Sequence, residues 1–106
     1  MTKYRIEFTR DAVTDLNELL NYIAFELLVP ETALSYVQEI ENAISSLASL
    51  PGRIKPISEE PWFSRGVRRL QVNNFYVYYQ IDDDAGQVTI LNVIYAKRDQ
   101  LNALGR

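Results

Sequence analysis

The residues with the most chemical promise lie in the last forty positions. Arg68 and Arg69 share one stretch, Phe75-Tyr76-Val77-Tyr78-Tyr79 fill the next, and Tyr95-Ala96-Lys97-Arg98 close a third. Arginine grips a phosphate bidentately and stabilises charge that develops on it. Tyrosine stacks on a nucleobase. Cations and phenols gathered on one sheet can hold RNA while its own 2′-hydroxyl attacks the neighbouring phosphate. That reaction needs positioning and charge stabilisation more than it needs a histidine. The same residues also fit a plainer account, in which the arginines pair with surface acids and the tyrosines fill a half-buried sheet. Arg68 and Arg69 alternate along one strand, so only one of them can share the exposed face.

What is missing narrows the chemistry. The 106 residues include no cysteine and no histidine. Disulfides and thiolate metal sites are thereby excluded, and the commonest neutral-pH base and metal ligand is gone. Acid–base work would fall to Asp, Glu, Lys, Arg or Tyr. No phosphate-binding glycine loop, nucleophile triad or zinc-binding helix motif occurs. Asp82-Asp83-Asp84 lacks the ligand spacing of a calcium loop and reads as a solvated hairpin. No metal or cofactor is expected.

The elements that must position these residues follow from periodicity. Tyr4, Ile6 and Phe8 alternate with Arg5 and Glu7, the pattern of a half-buried strand. Thr9 then stands at an N-cap position with Asp11 in the first turn. Ala12, Leu16, Leu19, Leu20, Ile23 and Leu27 fall on one helical face, which predicts a first helix over about 10–28. Val29-Pro30 interrupts it, and Ala33, Val37, Ile40, Ile44 and Leu47 make the core stripe of a second helix that Pro51-Gly52 ends. The short connection predicts a helical hairpin. Residues 51–66 are the longest irregular stretch, with Trp62-Phe63 as the expected packing anchor. Three strands follow at about 67–72, 74–82 and 87–95. In the second, Phe75, Val77, Tyr79 and Ile81 are expected on one face and Tyr76, Tyr78 and Gln80 on the other. In the third, Val88, Ile90 and Ile94 are expected to oppose Thr89, Leu91, Val93 and Tyr95. Both faces of that strand are apolar, so it should be central. The whole is an α+β order, β-α-α-β-β-β, with a helical hairpin packed on one face of an antiparallel-rich sheet.

Length fits one domain over 1–106. No apolar run is long enough to span a membrane and no signal peptide is visible, so the chain reads as cytoplasmic. The net charge of −3 conceals an asymmetry. Residues 11–52 hold seven acids (Asp11, Asp15, Glu18, Glu26, Glu31, Glu39 and Glu41) and no lysine or arginine. The two halves are either differently charged solvated faces or a basic working sheet backed by an acidic helical layer.

Together these segments resemble a known family. The junction Val29-Pro30-Glu31-Thr32-Ala33 and the helix end Leu47-Ala48-Ser49-Leu50-Pro51-Gly52 are similar to the ParE-like branch of the RelE/ParE superfamily, the toxins of type II toxin–antitoxin modules. Val67-Arg68-Arg69-Leu70, Phe75 to Ile81 and Val93 to Asp99 resemble the C-terminal half of both branches. The resemblance implies a toxin that arrests growth, neutralised by a cognate antitoxin with which it forms a hetero-oligomer. RelE-like members are endoribonucleases that cut mRNA on the ribosome; ParE-like members poison DNA gyrase. By the resemblance, Arg69 and Arg98 match catalytic arginines of the RelE-like enzymes. Arg68, Tyr76, Tyr95 and Lys97 are the accompanying substrate-binding candidates. Val67 stands where a second basic residue is expected, Tyr76 where a central arginine is expected, and no tyrosine follows Arg98. The other function compatible with these departures is a catalytically degenerate protein-binding module of the same fold.

Overall fold

Thr9 shows how the sequence sets the first corner of the molecule. Its backbone N–H donates to the Ile90 carbonyl at 3.0 Å, continuing a strand pairing, while its hydroxyl accepts the Ala12 N–H at 3.1 Å and caps a helix. The computed structural model describes residues 3–26, 30–73 and 75–95. The elements run β1 (Arg5–Phe8), α1 (Arg10–Glu26), α2 (Pro30–Ser46), a 3-10 turn at Pro51–Arg53, β2 (Arg68–Val72), β3 (Phe75–Asp82) and β4 (Gln87–Tyr95). This is the expected β-α-α-β-β-β order. Among the described residues no helix is long and apolar enough to cross a membrane.

The four strands lie in the order β1-β4-β3-β2. β1 pairs parallel to β4, and the other two pairings are antiparallel. β4 is therefore internal, as its two apolar faces predict. α1 and α2 cover one face of the sheet. Ala12 and Leu19 from α1, with Ile40 and Ile44 from α2, pack on Val77, Tyr79, Val88 and Ile90. Arg53 closes the end of the helical layer. Its guanidinium donates to the carbonyls of Ser49 and Leu50, both at 3.2 Å, where a cation suits the helix C-terminus.

The opposite face carries a second, smaller core. Ile57, Val67, Tyr78 and Ile94 are buried there, with Trp62, Tyr76 and Leu91 packed against them. The segment between the 3-10 turn and β2 supplies this cover. The Ile57 N–H reaches the Val67 carbonyl at 2.8 Å, and Gly66 turns the chain into β2 at φ +71°, a backbone setting that favours glycine. Trp62 is the anchor expected of this loop; Phe63 beside it is 52% exposed and is not.

One expectation is overturned on β4. Tyr79 lies opposite Ile90, yet Tyr78 lies opposite Asn92, so Leu91 is an extra residue in the strand. This β-bulge reverses the side-chain phase. Val93 joins the core under the helices, while Ile94 joins Tyr78 on the other face. The expected grouping of Val88 and Ile90 with Ile94 thus fails after position 91.

Candidate functional site

The pleat of β2 decides between its two arginines. Leu70 and Val72 turn toward the helices and pack in the larger core. Arg68, two residues before Leu70, shares their side. Its guanidinium donates to the Ile54 carbonyl, and its Cα lies opposite Tyr79. The Tyr79 hydroxyl is itself spent on the Pro51 carbonyl at 2.7 Å. Arg68, a substrate-binding candidate from the sequence, is therefore held away from Arg69, and Arg69 is the one of the two on the open face, as their alternation requires of one of them. The physical reason is the two-residue period of the strand.

Arg69 emerges on the face opposite the helices. Its guanidinium carbon stands 4.3 Å from the centroid of the Tyr76 ring, a close cation–π contact. The Tyr76 ring meets that of Tyr78 edge to face, with centroids 6.3 Å apart at 78°. Arg69 is exposed, Tyr76 is half-buried and Tyr78 is fully buried. The three form a graded column from solvent to core. A tight β2–β3 connection holds it in register, with Asn73 at φ +53° and Val72 opposite Phe75.

The electrostatics of the column are lopsided. The Tyr78 hydroxyl is buried and makes no hydrogen bond. Burial pushes its pKa up, while the nearby Arg69 guanidinium, short of a well-formed hydrogen bond, opposes the rise. A phenol held above its usual range stays protonated at neutral pH and cannot serve there as a base. Arg69, by contrast, is exposed, with its guanidinium laid over the Tyr76 ring. The column can hold an anionic group, a carboxylate or a phosphate, on the Arg69 guanidinium.

A second cation–π pair flanks the same face. The Arg65 guanidinium carbon lies 5.3 Å from the Trp62 ring centroid, and the Arg65 carbonyl accepts from Gln80 Nε2 at 2.9 Å. This pairing depends on how the loop folds back onto the sheet, which the residue types alone do not show. Of the remaining expected site residues, Tyr95 ends β4 with its backbone opposite Phe75. The Tyr95 side chain, Lys97 and Arg98 lie outside the described residues. Among the described residues no cluster of three acidic side chains could hold a metal ion. Asp82 instead accepts the Ala85 N–H at 3.1 Å within its hairpin, and Asp83 accepts the Tyr4 hydroxyl at 2.6 Å.

Sequence reasoning missed a buried polar pair. Asp15 is only 7% exposed. Its Oδ2 accepts Asn92 Nδ2 and the Val93 N–H, each at 3.1 Å. A signal was present, because Asp15 interrupts the apolar stripe between Ala12 and Leu19 at a core-facing spacing.

Comparison with known proteins places this geometry. The family model of the ParE toxin of the type II toxin–antitoxin system parDE matches residues 6–100. No curated protein matches. A chain of the chromosomal ParDE system from P. aeruginosa is 23% identical, covers 90% of this chain and 98% of its own, and aligns with a TM-score of 0.68. A chain of the RelBE2 toxin–antitoxin complex from Mycobacterium tuberculosis is 28% identical over 92% of this chain and 97% of its own, with a TM-score of 0.63. The isolated RelE toxin of E. coli shares the fold at 13% identity and a TM-score of 0.52, over 96% of this chain and 94% of its own. The family pattern thus spans both the helical layer and the sheet that carries Arg69, and the chain belongs to the ParE toxins of type II toxin–antitoxin systems, within the RelE/ParE superfamily.

Proposed function

We propose that this toxin arrests growth by binding DNA gyrase through the Arg69 face, without cutting RNA, and that a cognate antitoxin neutralises it. The observation that carries this reading is the column itself. Tyr76 stands where the RelE-like enzymes are expected to place an arginine, and its ring is covered by Arg69. Val67, where a second cation is expected, is buried beneath Trp62 and Tyr78. Among the described residues this face offers Arg69 as an anion anchor, flanked by Arg65, and puts no cation at the Val67 and Tyr76 positions, where charge-stabilised phosphodiester cleavage would use them. Docking on a carboxylate or phosphate of a protein–DNA assembly asks for no more than that anchor.

The antitoxin has a seat of its own on the helical layer. An apolar groove of about 280 Å³ runs between α1 and α2, lined by Phe8, Leu16, Leu20, Val37 and Ile40. Phe8 and Leu20 are 42% and 40% exposed, and the surrounding segment is the acidic one without a lysine or arginine. An amphipathic antitoxin helix with basic flanks suits it. The similarity to chains of the P. aeruginosa ParDE system and of the RelBE2 toxin–antitoxin complex supports such a partner.

Gyrase supercoiling with purified components tests the reading. The wild-type protein is expected to stop supercoiling of relaxed plasmid, and Arg69→Ala to lose that effect while staying folded. Unimpaired supercoiling together with cleavage of mRNA on translating ribosomes would establish the nuclease instead. Absence of both activities, with antitoxin binding retained, would identify a degenerate binding module.

A further inference from the structure

The bulge in β4 creates a problem that α1 solves. β1 accompanies β4 only as far as Phe8 opposite Ile90. Beyond that point, no strand among the described residues receives the backbone groups of β4's outer edge, and a bulge adds to the disruption. Two side chains flanking the first turns of α1 take over. The Thr9 hydroxyl donates to the carbonyl of Leu91, the extra residue, at 2.9 Å. Asp15 Oδ2 receives the Val93 N–H and the Asn92 side-chain amide. A carboxylate thus substitutes for the missing strand at the place where β4 changes phase.

The phase change reaches the other face of the sheet. It brings Ile94 opposite Tyr76 and into the small core with Tyr78. Tyr76 in turn carries the Arg69 guanidinium. A one-residue slip of β4 would send Ile94 toward the helices and withdraw the floor under both tyrosines. We propose that Asp15, with Thr9, is a positioning residue for the Arg69–Tyr76 column: it holds the bulge that aims Ile94 beneath that column, from the opposite side of the sheet. Asp15 acts on the column through β4, by its bonds to Asn92 and the Val93 N–H. The functional half of this proposal rests on the Arg69 face being the working surface.

The test uses the full-length chain and two readouts. Protons of the Arg69 side chain over the Tyr76 ring are expected to be shifted upfield in NMR spectra by the ring current, which would report the column directly. Growth arrest on induction reports its use. Asp15→Ala is expected to lose the upfield shift, expose the Val93 amide to rapid hydrogen exchange and abolish growth arrest. Asp15→Asn, which keeps an acceptor oxygen, is expected to restore all three. Leu19→Ala, a core truncation on the same helix, is expected to lower the melting temperature while preserving the shift and the arrest. A folded Asp15→Ala protein that keeps the Arg69 shift overturns the proposal, as does a Leu19→Ala protein that loses it equally. If Asp15→Ala does not fold, Thr9→Val decides, since it removes the bond to Leu91: an unmoved Arg69 shift rejects the latch. If Arg69→Ala itself leaves growth arrest intact, the working-surface reading fails, while the NMR arm still judges the positioning claim on its own.

Discussion

The two faces of the sheet are built on different terms. Under the helices, apolar side chains from α1, α2, β2, β3 and β4 make one continuous core. On the other face a short loop lays Ile57, Trp62 and Val67 over Tyr78 and Ile94, and leaves the Arg69–Tyr76 column at its margin. The first face buries enough apolar surface to hold the fold. The second is thin and aromatic, with a buried hydroxyl lacking a hydrogen bond and a cation kept in solvent. The difference teaches where this small toxin keeps its stability and where it leaves chemistry exposed. Asp15 matters because it ties the two together.

The largest expected effect breaks that tie. Asp15→Ala leaves the Val93 N–H and the Asn92 amide without their acceptor, and each such loss costs about 1–3 kcal/mol. Urea denaturation should show a loss of about 2–5 kcal/mol, comparable to emptying the main core with Leu47→Ala. Next comes the cover of the thin face. Trp62→Ala should cost about 2 kcal/mol, below the usual range for a buried tryptophan because Trp62 is only half-buried. A cost equal to that of Leu47→Ala would mean the two faces contribute alike and would break the comparison.

Tyr78→Phe sharpens it. The change removes a buried hydroxyl that makes no hydrogen bond, so stability at pH 7 should hold or rise by up to about 1 kcal/mol. It should also alter the alkaline limb. Burial holds the Tyr78 and Tyr79 hydroxyls above the ordinary phenol value of 10.0. Above that pH the unfolded chain releases these protons before the folded chain does, so stability is complete below pH 10 and falls as pH rises further. The Tyr78→Phe protein should lose less across that window, read as the denaturation midpoint against pH. The smallest effect on stability belongs to Arg69→Ala. An exposed cation over a ring contributes about 0.5–1 kcal/mol, so the melting temperature should barely move.

Much of this fold was legible in the chain, and the exceptions share a cause. The stripe of Ile40, Ile44 and Leu47 announced α2 because its period is helical, and Thr9 announced the start of α1 because a hydroxyl there has a backbone donor to accept. Tyr76 and Tyr78 were separated from Phe75, Val77 and Tyr79 because β3 alternates cleanly. β4 did not allow this. Ile90, Leu91, Val93 and Ile94 are apolar on both sides, so their pattern carries no phase and the bulge left no mark. The choice between Arg68 and Arg69 rested on resemblance, since alternation separates them without saying which faces out. The β2 pleat settled it through Leu70 and Val72. Asp15 was read as one more acid of an acidic segment, because its partners, Asn92 and the Val93 N–H, are more than seventy residues away.

The central claim is that the thin face works by gripping an anionic partner through Arg69. The most direct measurement follows methionine and thymidine incorporation together, minutes after induction of the wild-type and Arg69→Ala proteins at equal abundance. The account predicts an early fall in thymidine incorporation for the wild type alone, with methionine incorporation unaffected at that time. An early fall in methionine incorporation, or arrest of DNA synthesis by Arg69→Ala as fast as by the wild type, would contradict it.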